Sequence, residues 1–479
     1  MRLRLIGGLL AFFLLLGACS GGGSQSATGD DVGTDDVTDI TSDDTFESEE
    51  DGDDSGSSAG SATTGGGSTV PRAGATITAP SGTKVTVPKD GGPPVADLFK
   101  ANEDKIGLHD DKIVFCAHAA TSFGPAFNTS EADLNVYWEE VGKINGRNVE
   151  ITFENDNYDP TTARQAAQAC KEKNPFVLLG GIGFDQIPAV RKFAEDNRMP
   201  YFHHIAAEDL SKKFAFSSLP SVNKVGDFAG QWVVKKFKGK KVGVIYRESE
   251  NWEPGHQTFL KRLKDNGMTV PPEADLGVVK NQGAYANEIR QLNLDYGAEV
   301  VFLWENALAA TAIIQQAKSQ DYHPQFVIFP FNVTTDVIGD DMLNPPVHGI
   351  ATWPAYSPGD YGGTFSPYAD EIKRMEQVYA QRRPGIQVTD IHWQVWLAWR
   401  DLHTILEECG RDCTRNKFVG LLLWRPYELK ETKPSCPVDF TRNGHVGGFW
   451  ATMFTAYAKG GGNAGWKHID GVACKSAFL

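Results

Sequence analysis

Cysteine is the residue type in this chain with the most covalent chemistry open to it. Six of the 7 cysteines, Cys116, Cys170, Cys409, Cys413, Cys436 and Cys474, lie in the long C-terminal part. An even set in an oxidising compartment points to disulfides, with 15 pairings open to six thiols. Proximity along the chain and the elements around each residue favour Cys116–Cys170, Cys409–Cys413 and Cys436–Cys474. A metal site is not expected. No C-x-x-C occurs, and Cys409 and Cys413 flank Gly410, which signals a loop. His203 and His204 are neighbours on a strand, so one side chain at most faces a given side, which argues against a two-histidine metal site. One of them is better suited to donate a hydrogen bond. No nucleophile elbow at a strand–helix turn, H-E-x-x-H, P-loop or dinucleotide fingerprint appears. Gly180-Gly181-Ile182-Gly183 lacks the third glycine of that fingerprint. The reading is therefore a non-enzyme without a cofactor, and the remaining chemistry is reversible binding. Its candidates sit where apolar runs end: Ser122, Phe123, Gly183, Phe184, His204 and Ala206 in one half, and Trp252, Glu305, Asn306, Phe331 and Asn332 in the other. Aromatic walls with a few polar groups are the usual makeup of a small-molecule pocket.

Those loops must be held by a scaffold, and the scaffold begins far from the N-terminus. Arg2 and Arg4 precede an apolar run from Leu5 to Leu16, the length of a signal h-region and too short to span a bilayer. It runs into Leu16-Gly17-Ala18-Cys19, which resembles the bacterial lipobox. That resemblance implies a signal peptide over 1–19 and a lipid on Cys19, tying the mature chain to a membrane. Residues 20–105 are expected to form a disordered acidic Gly/Ser/Thr tether and N-terminal extension. Thirteen acids fall between Asp30 and Asp54 with no base until Arg72, and too little apolar surface is present before Val70 to offset ordering. This segment carries most of the formal charge of −15. Without its acids and Arg2, Arg4 and Arg72, 48 acids and 43 bases remain, a balance of −5. No basic patch marks a nucleic-acid partner.

The rest, ~380 residues, is too long for one typical core and implies two lobes. Ile113–Ala119, Val149–Asn155, Pro175–Gly181 and Met199–His203 read as strands. Between them, Glu131–Ile144, a helix starting at Asp159-Pro160 and Ile187–Asn197 read as helices. The rhythm resumes with strands at Lys240–Arg247, Ala298–Trp304 and Pro324–Pro330, and helices at Gly255–Asn266, Ala284–Tyr296 and Ala307–Gln320. Alternation of this kind implies βαβ units and parallel sheets. Two long helices follow, Tyr368–Arg382 and Ile391–Cys409. Trp393, Trp396 and Trp399 on the second are expected in the core. The glycine-rich tail from Ser435 reads as irregular.

The chain from about Ile106 to Cys474 resembles the type I periplasmic binding proteins, in the branch of leucine/branched-chain amino-acid binding proteins of ABC importers. The resemblance is carried by FGPAF (Phe123–Phe127), DNYDPTTARQAAQAC (Asp156–Cys170), VLLGGIG (Val177–Gly183), MPYFHHIAAEDL (Met199–Leu210) and FSSLPS (Phe216–Ser221). Two later pieces, Asn251–Val270 and Asn281–Leu303, extend it. It implies an α/β fold of two doubly wound parallel-sheet lobes joined by three crossovers. The first lobe would take 106–218 plus about 353–424, and the second 219–352 plus about 425–479. Ligand would sit in the cleft at the strand ends, and lobe closure would follow binding.

In that family the loops at Gly183 and Ala206 hold a ligand carboxylate, and the loop near Phe331 commonly offers an acid to an ammonium group. Here hydroxyls are missing around Gly183 and at Ala206, and no acid stands at Phe331-Asn332. Glu305 is the available substitute. The aromatic loops favour a larger, flatter or more apolar solute than a simple α-amino acid. The implied function is an extracytoplasmic, monomeric solute-binding lipoprotein that takes an amino-acid-like, amide or aromatic solute and serves an ABC importer's permease subunits. The alternative is a lipid-anchored ligand sensor serving a signalling partner, since the same fold supports both.

Overall fold

The computed structural model describes residues 73–121, 129–180, 184–203, 213–217, 220–279, 284–329, 339–351, 369–424, 452–460 and 463–470. Three short strands come first: β1 (Thr76–Thr78), β2 (Lys84–Thr86) and β3 (Val95–Ala96), an antiparallel sheet. The expectation of disorder as far as residue 105 is therefore corrected from residue 73 on. Val85 and Ala96 bury their side chains, and the sheet has a partner that the local sequence does not reveal.

β4 (Lys112–Ala119) is β-branched, apolar and buried on both faces, as a central parallel strand must be. After it come helices α1 (Glu131–Leu134) and α2 (Val136–Val141), then strands β5 (Lys143–Ile144) and β6 (Arg147–Asn155). The single helix expected over 131–144 is broken. Asn135 turns its amide to donate to the Ile151 carbonyl at 3.0 Å, and Gly142 ends α2 at φ 75°. α3 (Pro160–Glu172) starts as its sequence predicts. Asp159 accepts from the amides of Thr161 and Thr162, and Pro160 needs no donor there. β7 (Val177–Gly180), α4 (Ile187–Asp196), β8 (Tyr201–His203) and β9 (Ala215–Ser217) complete a sheet in the order β5-β6-β4-β7-β8-β9, parallel except for β5.

The second sheet is built the same way. α5 (Val222–Phe237) leads into β10 (Val242–Arg247), α6 (Glu253–Asp265) and β11 (Asp275–Val278). α7 (Ala286–Arg290) continues as a π turn over Gln291–Tyr296 that Gly297 closes at φ 73°, where an unbroken α-helix is expected from periodicity. β12 (Val300–Trp304), α8 (Ala307–Ser319), β13 (Gln325–Phe329) and β14 (His348–Ala351) follow. The strands alternate faces. Val244, Phe302, Trp304, Val327 and Phe329 pack in one core cluster, while Ile245, Val301, Leu303 and Ile328 pack with Ile313 and Ala317 of α8 in another. α5 and α6 meet at two glycines: a Cβ at position 226 would lie 2.1 Å from the Gly255 carbonyl oxygen.

The chain then returns to the first lobe. Of the helices α9 (Ala369–Arg382), α10 (Asp390–Cys409) and α11 (Arg415–Trp424), the first two pack on α1 and α2. Trp399 Nε1 donates to the Leu134 carbonyl and the Tyr379 hydroxyl to that of Asp133, both at 2.8 Å. Trp393, Trp396 and Trp399 are buried, as expected of core residues. α11 holds the N-terminal sheet. Asn416 accepts from the amides of Leu98 (3.0 Å) and Phe99 (2.8 Å) and donates back to the Phe99 carbonyl at 2.8 Å. Beside it, Arg415 donates to the carbonyls of Phe176, Pro175 and Glu103. Burial lowers its pKa to about 10.

The tail read as irregular instead forms a hairpin, β15 (Thr452–Gly460) and β16 (Asn463–Asp470), which adds two antiparallel strands to the second sheet. Met453, Phe454, Ala456 and Trp466 of the hairpin are buried. The second sheet reads β11-β10-β12-β13-β14-β15-β16. Cys116 of β4 faces Cys170 of α3 with an S–S distance of 2.00 Å, and Cys409 faces Cys413 at 2.03 Å. Cys19, Cys436 and Cys474 lie outside the described residues. No helix among the described residues is long and apolar enough to cross a membrane.

Candidate functional site

Both sheets share one strand plan. The second strand pairs on one side of the first and the third on the other, as β6-β4-β7 and β11-β10-β12. Connections leave in opposite directions at that point, so a crevice opens outside the carboxyl ends of β4/β7 and β10/β12. Three buried charged residues stand there. Arg247 ends β10, Glu305 follows β12, and Asp185 follows β7 in the other lobe. The register β10–β12 pairs Tyr246 with Trp304, which places Arg247 and Glu305 side by side.

Arg247 is 2 % exposed, Glu305 0 % and Asp185 8 %. Arg247 Nε donates to both Glu305 oxygens, at 3.0 and 2.7 Å, and Nη2 donates to Glu305 Oε1 at 2.7 Å. Its Nη1 donates across the seam to Asp185 Oδ2. Trp252 Nε1, also from the second lobe, donates to Asp185 Oδ1 at 2.7 Å. Two carboxylates thus share one guanidinium, a net charge of −1 held out of water. Burial raises the Glu305 pKa against the lowering pull of Arg247. Burial opposes the Arg247 charge, but the Glu305 hydrogen bond and the Asp185 and Glu305 charges hold its pKa above the usual value. Tyr158 and Tyr285 report the same field. Burial first, then Asp185, pushes the Tyr158 hydroxyl well up. Burial, then Glu305, pushes that of Tyr285 to about 12.

Aromatic rings from both lobes surround the charges. Phe184 lies 5.1 Å from Trp252, Trp252 6.2 Å from Phe329, and Trp304 5.1 Å from Phe329, centroid to centroid. Asn251 spans the seam as well: Nδ2 donates to the Phe184 carbonyl at 3.0 Å. Its Oδ1 is buried and has no partner among the described residues. Beneath the first-lobe rim runs a polar chain. His118 contacts Asp156 at 2.8 Å and the Tyr201 hydroxyl at 2.7 Å, and Asp156 also accepts from the Gln186 amide and the Tyr158 backbone. This chain fixes the residue after Asp185. A separate surface pocket of about 620 Å³, between Lys318, Tyr322, Phe326 and Asp341, lies at the opposite, amino end of β13.

Of the residues expected from sequence, Phe184, Trp252 and Glu305 come together at this seam. Trp252 is fully buried and its indole N–H is engaged by Asp185. Glu305 is committed to Arg247. Asn306 is adjacent, but its side-chain oxygen caps α8 by accepting from Ala309 N at 3.0 Å, so its first role is structural. His203, at the end of β8, is buried with its ring 5.0 Å from Tyr201. Ser122, Phe123, Gly183, His204, Ala206, Phe331 and Asn332 lie outside the described residues. Asp185, Arg247 and Asn251 were missed. A signal for two of them is present, because Arg247 is a charge closing an apolar strand and Asp185 an acid just past another. Among the described residues, no group of three or more His, Cys, Asp or Glu side chains is placed to hold a metal ion.

A family model described as periplasmic binding protein matches residues 112–463. No curated protein sequence matches the chain. Among solved structures, a solute binding protein of an ABC transporter from Rhodopseudomonas palustris BisB5, in complex with 3,4-dihydroxy benzoic acid, is similar with a TM-score of 0.61 and 13% identity. The match covers 77% of this chain and 99% of that one. A fatty acid ABC transporter substrate-binding protein from Thermomonospora curvata gives 0.61 at 15% identity, covering 78% and 97%. A leucine binding protein from Thermotoga maritima gives 0.58 at 13%, covering 75% and 98%.

Proposed function

The chain belongs to the periplasmic binding protein family, of the type I, leucine/branched-chain kind, and from that premise we propose that it captures a small organic solute between its lobes and delivers it to an ABC importer. The family is a solute-binding class without catalysis, and membership implies an extracytoplasmic location. The lipobox-like Leu16–Cys19 supports a lipid on Cys19 and attachment to a membrane. The paired cysteines at 116/170 and 409/413 support an oxidising compartment.

The observation that carries the reading is the seam itself. Buried residues of both lobes, Asp185 and Phe184 on one side and Arg247, Trp252 and Glu305 on the other, converge at the switch points of two parallel sheets. A solute there touches both lobes, which is what lets binding drive closure. Aromatic surface with few polar groups suits an aromatic, amide or amino-acid-like solute.

The test is a thermal-shift screen of amino acids, amides, aromatic acids and short peptides, repeated on Trp252→Ala. A true ligand raises Tm by mass action, and the rise is expected to fall at least tenfold in concentration dependence in the variant. A ligand whose affinity is untouched by Trp252→Ala places the site elsewhere.

A further inference from the structure

We propose that the second lobe carries a carboxylate receptor formed by Arg247 Nη1 and Trp252 Nε1, that Asp185 of the first lobe occupies it as an intramolecular competitor, and that a small organic carboxylate takes its place when the lobes part. The inference rests on the cleft reading above and narrows its solute class.

Each oxygen of Asp185 has its own donor, Trp252 Nε1 to Oδ1 and Arg247 Nη1 to Oδ2. Both donors belong to the opposite lobe. Among the described residues no first-lobe group donates to this side chain. Asp185 is thus seated as a bound carboxylate would be, by two convergent N–H groups in a buried, ring-lined place. Glu305 plays a different part. It belongs to the same lobe as Arg247 and takes the Nε and Nη2 edge, which holds the guanidinium plane so that Nη1 points at the seat. Exchanging Asp185 for another carboxylate leaves the buried charge unchanged, so no new desolvated charge is created. A cationic solute is repelled by Arg247, and a neutral oxygen acceptor would take the hydrogen bonds without replacing the carboxylate's charge. Phe184, Trp252 and Phe329 offer flat apolar surface next to the seat. The unpartnered Asn251 Oδ1 offers an acceptor for a hydroxyl or amide N–H on the same solute. A carboxylate tethered to the fold competes at a high effective concentration, so Asp185 sets a threshold that weak carboxylates do not pass.

The experiment is chemical rescue on the full chain. Wild type, Asp185→Ala and Asp185→Ser are melted in sodium benzoate, sodium acetate, benzylamine hydrochloride and sodium chloride at equal ionic strength, and benzoate affinity is measured by calorimetry. The serine variant keeps the measurement open if the alanine variant does not fold. Both variants are expected to melt below wild type in chloride, to regain Tm in benzoate, and to bind benzoate at least tenfold more tightly than wild type. Adding Arg247→Gln or Trp252→Phe to Asp185→Ser should abolish the rescue. Carboxylates that move the variants no more than chloride does, a larger shift from benzylamine, or rescue that survives Arg247→Gln each overturn the receptor. A neutral or cationic solute that stabilises wild type through Trp252, with no carboxylate rescue, sinks this inference and leaves the cleft reading standing. Benzoate binding indifferent to both Asp185 and Trp252 defeats both.

Discussion

Replacing Arg247 with Met is the sharpest perturbation of this molecule. The methionine keeps most of the side-chain volume and removes every donor. Glu305, fully buried, loses the three hydrogen bonds from Nε and Nη2, and Asp185 loses the one from Nη1. Breaking a buried ion pair by deleting one partner costs about 3–5 kcal/mol, because the remaining charge stays uncompensated. Here two carboxylates are stranded. Asp185 keeps Trp252 Nε1 and Glu305 keeps the Asn306 amide, so the upper end of that range is a ceiling. The pH dependence follows. Without the guanidinium, nothing from Arg247 offsets the burial that already raises the folded-state Glu305 pKa above its unfolded value. The native state then binds protons more avidly than the unfolded one, so stability falls as pH rises. The variant should be several kcal/mol weaker than wild type at pH 8 and recover much of the loss near pH 5. A triple variant, Arg247→Met with Asp185→Leu and Glu305→Leu, removes the charges altogether and should recover most of the stability at pH 8. Urea titrations at the two pH values read all of this. A loss under ~1 kcal/mol, or a triple variant no better than Arg247→Met, would refute the claim that buried charge governs this seam.

Asn416→Ala removes the three hydrogen bonds that hold Leu98 and Phe99, at about 1–3 kcal/mol for buried groups left unsatisfied. Limited proteolysis should then cut between residues 73 and 110 before the sheets unfold, and an uncut segment contradicts the clamp. His348 packs against Trp232, and burial lowers its pKa to about 4 from 6.5. A depressed imidazole stabilises the fold above pH 6.5 and loses that contribution as pH falls toward 4, by up to ~3 kcal/mol. His348→Phe should flatten the decline between those pH values; an unchanged slope removes the histidine from the account. The Cys116–Cys170 bridge spans a sequence separation of 54, and Cys409–Cys413 one of 4. Loop-closure entropy assigns the first roughly 4 kcal/mol and the second roughly 2. Paired Cys→Ala substitutions should therefore lower Tm more at 116/170, and the reverse order counts against that entropy as the dominant effect.

The strand–helix alternation, both lobes and the parallel core were readable because apolar runs such as Val177–Gly180 and Val300–Trp304 are buried on both faces. Asp159-Pro160 announced α3 by local chemistry alone. What stayed hidden depended on partners distant in sequence. β1–β3 are short, and the chain just after them, Leu98 and Phe99, is held by Asn416, more than 300 positions away. The hairpin at 452–470 lies in a glycine-rich stretch and pairs with β14, which the sequence reading also did not assign. Asn135 breaks a helix because Ile151 offers a carbonyl. At the seam, Trp252 and Phe184 were legible as aromatics at strand ends. Asp185 and Arg247 carried only a local mark, a charge at or just past the end of an apolar strand, and their pairing lies in an encounter between two lobes that neither sequence segment encodes by itself.

The order in which these elements leave the ribosome carries a final consequence. The first sheet is synthesised early, yet the helices that cover its α1–α2 side come only after β14. The second sheet lacks its last two strands until those helices are finished. An emerging chain must therefore keep the α1–α2 side uncovered until 369–424 arrive, and the β14 edge unpaired for longer, until 452–470 arrive. Neither half is a self-sufficient folding unit in time, although each looks like one in space. A chain shortened before residue 369 should fail in both halves at once, because it lacks the covering helices and the hairpin together.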